Sequence, residues 1–240
     1  MSEISRKKHF LPVTRALELY LDEFDRRQPL PASYRDLQNF TERYPLVDKH
    51  DNPTHWASVL YPPETQQELY PRLTSIYALL KTGGLTALPH LSVERVDFCE
   101  FGNSRPFRVR VVNQYNDNYD HFYVKRVDAS RVYGLELEHL LSPNRISYLY
   151  HEGSLVEEHI AGVPGDVFLR DYLVRDDLNR VRVAKEFVKF SERCFIRLLG
   201  DMRSYNYVVA MTPDFEEVQY RVRAIDFDQQ SYEGRRNLYL

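Results

Sequence analysis

LLGDMRSYNYVV at residues 198–209 and RVRAIDFDQQ at residues 221–230 are the two strings on which the fold turns. Each holds a run of β-branched and aromatic residues suited to a strand, and Thr212–Pro213–Asp214 between them marks a turn. The pair therefore reads as a hairpin that brings Asn206 and Asp226 to the same end of one small sheet. Asp228 follows two residues later. An amide oxygen and carboxylates held together suit magnesium, whose other positions go to water and phosphate oxygens. Asp201, separated from Asn206 by four residues, is a further carboxylate placed to accept a hydroxyl proton in phosphoryl transfer.

Upstream of these strings the texture changes twice. From residue 91 the hydrophobic period is two: LSVERVDFCEF, RPFRVRVVNQY and HFYVKRV read as three successive antiparallel strands. A helix over residues 130–141 follows and closes at Ser142–Pro143. ISYLYHEG and SLVEEHIAG then make a hairpin turning at Glu152–Gly153. Beyond Gly162 the pattern is mainly helical up to Leu199, with Val181, Ala184, Phe187, Val188, Cys194 and Phe195 as its apolar stripe. Residues 1–84 also read as helical. One helix follows Pro12 and carries Ala16, Leu17, Tyr20 and Leu21. A second is capped by Ser33 and carries Tyr34, Leu37, Phe40 and Tyr44. A third begins near Pro71 and stops at Gly83–Gly84.

Composition bounds the class. The chain has 240 residues, 43% hydrophobic and 28% charged, as expected of a folded soluble protein of one large or two small domains. Lys and Arg number 32 against 35 Asp and Glu, a net charge of −3, which argues against a dedicated nucleic-acid or anionic-membrane binder. Two cysteines, Cys99 and Cys194, are too few for a disulfide framework or a cysteine-based zinc site. No apolar run approaches the ~18 residues of a membrane span, and the start, MSEISRKKHF, lacks a signal peptide's apolar segment. A cytoplasmic protein is expected. The eight histidines show no H-E-x-x-H spacing, and neither G-x-S-x-G nor a P-loop is present.

Asp201-x-x-x-x-Asn206, a hairpin and the strand end Ile225–Asp226–Phe227–Asp228 together resemble the protein-kinase-like fold. The likeness is greatest to the branch of aminoglycoside phosphotransferases, choline kinases and related small-molecule kinases. Leu155–Gly162 is similar to that family's hinge, and Lys125 stands where its third-strand lysine belongs. The resemblance covers about residues 91–230. It implies an α+β, two-lobed architecture: a helical N-terminal region over 1–88, a five-stranded antiparallel lobe over 89–160 and a mainly helical lobe over 161–240.

It also implies an ATP- and magnesium-dependent phosphotransferase acting on a hydroxyl, of a small molecule by the Ile-Asp-Phe-Asp branch. Asp201 would face that hydroxyl, and Asn206, Asp226 and Asp228 would hold the metal. Lys125 would hold nucleotide phosphates, oriented by a carboxylate of the following helix. Glu136 and Glu138 lie roughly 200° apart on that helix, so one alone is expected to point inward. Glu136 is preferred, because Val132 and Leu140 put apolar neighbours on its face. Glu158 and Ile160 would meet the adenine with backbone groups, and Gly102 and Ser104 would cover the phosphates. The chain departs from the family pattern at Leu199, where histidine is common, and at Glu157, where an apolar residue is usual. Only twelve residues follow Asp228. Two alternatives follow from these departures and from the chemistry: a catalytically silent kinase-like binding module, or nucleotidyl in place of phosphoryl transfer. The N-terminal helices are the surface on which a protein partner would dock.

Overall fold

The computed structural model describes residues 8–48, 51–84, 88–101, 103–215 and 218–231. They fall into two compact units, Met1–Val127 with Ser147–His159, and Asp128–Ile146 with Ile160–Leu240.

The first unit is built on a seven-stranded antiparallel sheet. Its strands are β1 (Glu42–Val47), β2 (Pro53–Leu60), β3 (Leu91–Cys99), β4 (Phe107–Asn113), β5 (Tyr119–Arg126), β6 (Tyr148–His151) and β7 (Ser154–Glu158). They lie in the order β1-β2-β3-β4-β5-β7-β6. Three helices accompany the sheet: α1 (Arg15–Glu23), α2 (Tyr34–Leu37) and α3 (Pro63–Thr82). Val93, Val96, Phe98, Phe107, Val109, Val111, Phe122 and Val124 recur every second residue along β3, β4 and β5, with one bulge in β3. They form a single buried layer with Leu69, Leu73 and Ile76 of α3. The β6–β7 hairpin turns on Glu152 and Gly153, both at positive φ. Such a turn matches the right-handed twist of its strands.

Two features depart from the expected helical N-terminal region. Tyr34–Leu37 is a single turn closed by a capping box between Ser33 and Asp36, not a helix reaching Tyr44. Residues 42–60 form the β1–β2 hairpin, which adds to β3. Pro45 and Pro53 read as breakers, yet β1 is the edge strand, where a missing N–H costs no ladder bond, and Pro53 begins its own strand. The third helix starts at Pro63, in the first-turn position that proline favours, and carries Pro71 in its interior.

The second unit holds α4 (Ala129–Leu141), β8 (Val163–Pro164), α5 (Gly165–Val167), which continues as a wider turn over Phe168–Tyr172, α6 (Arg180–Ile196), β9 (Tyr207–Pro213) and β10 (Val218–Ala224). Its three strands pair in the order β10-β9-β8. The expected five-stranded lobe followed by a mainly helical lobe is therefore not the architecture adopted. A seven-stranded sheet replaces the first. In the second, a three-stranded sheet stands beside two helices of more than a few residues among those described. The physical reason lies in β9, where Tyr-Val-Val-Ala-Met-Thr favours extended backbone. Among the described residues no helix is long and apolar enough to cross a membrane.

Gly134 sets how closely α4 meets the segment after β10. A Cβ there would lie 2.8 Å from Phe227 Cβ, and Phe227 is fully buried. Overpacking of this kind costs about 1–3 kcal/mol, against a helix-propensity gain of about 1 kcal/mol for alanine over glycine. Gly134→Ala is thus expected to lower stability, read as a lower urea midpoint with an unchanged slope. A midpoint at or above that of the parent would show that α4 has room to spare.

Candidate active site

The loop before β9 is pinned from both ends. Leu199 bridges to Gln230, Ser231 N–H donates to the Leu198 carbonyl at 2.9 Å, and Gly200 N–H reaches the Gln229 carbonyl at 3.4 Å. Leu199, at the position where the resembled family often has histidine, is fully buried and anchors the loop by packing. Asp201 follows at φ +56°, a left-handed conformation that Asp and Asn tolerate better than most residues. Its Oδ1 pairs with Arg203 Nε at 2.8 Å.

Asn206 closes a short 3₁₀ turn, Ser204–Asn206. Its Nδ2 donates to the Asp201 carbonyl at 2.6 Å, and its own carbonyl accepts from Ile225 N–H at 3.0 Å. Tyr207 pairs with Ala224 in the β9–β10 register, so the hairpin sets Asn206 beside the segment Ile225–Asp228. Asp201, Asn206 and Asp226 are thus brought together within one unit. Asn206 is 6% exposed. Its Oδ1 and the Oδ2 of Asp226 accept no hydrogen bond from any described residue. An amide oxygen and a carboxylate oxygen left over in this way are donors of the type magnesium takes. Among the described residues no group of three or more His, Cys, Asp and Glu side chains is placed to hold a metal. Any ion here would rest on few protein ligands.

A residue that sequence reasoning missed sits at the centre of this arrangement. Arg131, 2% exposed in its side chain, sends Nη1 to Asp226 Oδ1 at 2.9 Å and to Asp228 Oδ1 at 3.0 Å, and Nη2 to the Ile225 carbonyl at 3.1 Å. Asp228 N–H closes the ring on Asp226 Oδ1 at 3.0 Å. Arg131 lies in the first turn of α4, which Asp128 caps through a bond from Ser130 N–H; nothing local in the sequence marks it.

Glu136 and Glu138 are both buried on α4, where one alone was expected to face inward. The helix is enclosed around much of its circumference, and Glu138 pairs with buried Arg197. Burial pushes the Arg197 guanidinium down to about 10, still charged at neutral pH.

In the other unit Lys125 Nζ donates to Glu157 Oε2 at 2.7 Å, and both side chains are buried. Lys125 pairs with Leu155 in the β5–β7 register, which sets Glu157 on the same face. Glu158 N–H is committed to the Ser147 carbonyl at 3.0 Å, and its carboxylate accepts from Ser147 N–H at 2.7 Å. The Ser104 carbonyl accepts from Arg126 N–H at 3.2 Å. Ile160 is buried at the start of the second unit's last segment. Gly102 lies outside the described residues.

The sheet face that carries Lys125 is polar throughout. Asp97, fully buried, accepts from Arg108 Nε and Nη2 at 3.0 and 2.7 Å, and Arg108 lies over the Trp56 ring at 4.6 Å. Tyr123 Oη meets His159 Nδ1 at 3.0 Å, and the His121 and His159 rings lie edge to face. The period-two alternation of Arg108 and Arg110 with buried valines marks this face in the sequence; its pairing across strands does not.

No family model matches the chain, and no curated protein matches it.

Burial, reinforced by Arg108, pushes His121 from the ordinary 6.5 down to about 4. Burial also lowers His159. A folded-state value below the unfolded one means that the unfolded chain binds the proton first as pH falls. Stability is therefore lost between pH 6.5 and about 4, and His121→Gln is expected to flatten that part of the profile. Urea midpoints across this window check it; an unchanged slope would assign the acid loss to carboxylates alone.

Proposed function

We propose that the chain is an ATP- and magnesium-dependent phosphotransferase acting on a hydroxyl group of a small molecule. One observation carries this: Asn206 gives its amide nitrogen to the Asp201 carbonyl and keeps its oxygen for a cation beside Asp226. The strings Gly200–Asp201…Asn206 and Ile225–Asp226–Phe227–Asp228, similar to those of small-molecule kinases, support the same reading.

Asn206 and Asp226 would hold the ion, and magnesium, when bound, supplies charge neutralisation at phosphate oxygens. Asp201 accepts the proton of the acceptor hydroxyl. The ion pair with Arg203 and the left-handed backbone fix where its carboxylate is offered, and positioning is most of what phosphoryl transfer asks of a protein. A second reading, a catalytically silent binding module, is favoured by the engagement of Lys125 with buried Glu157. It predicts nucleotide affinity without ADP release.

Asp201→Asn separates the two. Asparagine tolerates the left-handed position, and the half-exposed pair with Arg203 contributes under about 1 kcal/mol, so the variant should fold. Turnover, followed as ADP release over a panel of amino sugars, choline and simple sugars, is expected to fall about 10²–10⁴-fold, the usual contribution of a positioned base. ATP affinity should stay within a few-fold. Full turnover in the folded variant would remove Asp201 from the chemistry.

A further inference from the structure

Arg131 gives the site a property that its carboxylates alone would not have. Asp226 and Asp228, two residues apart, could between them bind two divalent ions in a phosphate-rich site. One oxygen of each is instead occupied by the same guanidinium nitrogen. Arginine cannot give up its proton in a protein, and at 2% exposure the side chain has no path to water that leaves α4 and the 225–228 segment in place. An ion seeking Asp226 Oδ1 or Asp228 Oδ1 would have to push a charged group into an apolar interior, which is costly without a partner. Its own charge would also repel the guanidinium at short range.

The other side of Asp226 is different. Its side chain is 37% exposed, and Oδ2 accepts no hydrogen bond from the described residues, as Asn206 Oδ1 accepts none. We propose that Arg131 is a built-in counter-cation that takes the place of a second metal ion. The site then accepts one divalent cation, through Asp226 Oδ2 and Asn206 Oδ1, and Asp228 is a partner of Arg131 rather than a metal ligand. This inference rests on the metal-dependent reading above and adds the stoichiometry and the residue that sets it. It also accounts for a metal site in which three acidic ligands do not converge.

Manganese, counted by the paramagnetic resonance of the free ion, tests it on the full chain saturated with a non-hydrolysable ATP analogue. The parent is expected to hold one ion per chain. Arg131→Gln, which frees both aspartates while keeping a polar side chain of similar length, is expected to hold two. Should that variant fail to fold, Asp228→Asn decides, because asparagine still accepts from Arg131. Its manganese affinity is expected to stay within about twofold, while Asp226→Asn loses about tenfold or more, as ligand changes do. Two ions in the parent, one ion in folded Arg131→Gln, or a large loss in Asp228→Asn would each overturn the role of Arg131 and leave the phosphotransferase reading standing. An absence of chain-bound manganese in the parent and every variant would overturn both.

Discussion

A guanidinium buried between two aspartates and a backbone carbonyl holds the second unit in working order. Arg131 ties α4 to the segment after β10, and the carbonyl of Ile225 is one of its three acceptors. Ile225 N–H in turn holds the Asn206 carbonyl, and residues 229–231 hold the loop that carries Asp201. Removing one partner from such a buried cluster leaves an uncompensated charge, typically worth about 3–5 kcal/mol. Between α4 and β10, Gly134 gives Phe227 the space to pack. The position of every candidate catalytic group in this unit follows from that one contact.

The first unit handles its charges in a parallel way. One face of the seven-stranded sheet is a closed apolar layer against α3. The opposite face carries Asp97 between Arg95 and Arg108, and Lys125 against Glu157. Buried charges persist only where partners offset their desolvation, and each buried carboxylate named here has a cation within 3 Å. The cost is that Lys125 is already engaged, which is the feature that keeps the silent-module reading in play.

Local signals made part of this legible in the sequence. The Asp201-to-Asn206 spacing, the turn at Thr212–Asp214 and the strand end at Asp226 sit within thirty residues, so the hairpin and its metal-type donors could be read directly. β3, β4, β5 and the β6–β7 hairpin were equally plain, because period-two patterning with β-branched residues is a strong signal. The β1–β2 hairpin was not, since its prolines imitate helix punctuation and only an edge position makes them harmless. The helix expected near Pro71 actually begins at Pro63, one proline cluster earlier. Arg131 was hidden for a different reason. It meets Asp226 and Asp228 from 95 and 97 residues away, and no periodicity or spacing reports a contact of that range. Nothing in the sequence pairs Lys125 with Glu157 either, until the β5–β7 register places both on one face.

The central claim is that the Asn206–Asp226 pair receives a divalent ion carrying nucleotide phosphates. Calorimetric titration of ATP into the parent chain, with magnesium and then with a chelator in its place, tests it most directly. The account predicts that withdrawing magnesium weakens ATP binding by about tenfold or more, because two protein oxygens with no donor of their own would then face phosphate oxygens unshielded. Equal affinity in the two titrations, or no binding in either, would contradict it.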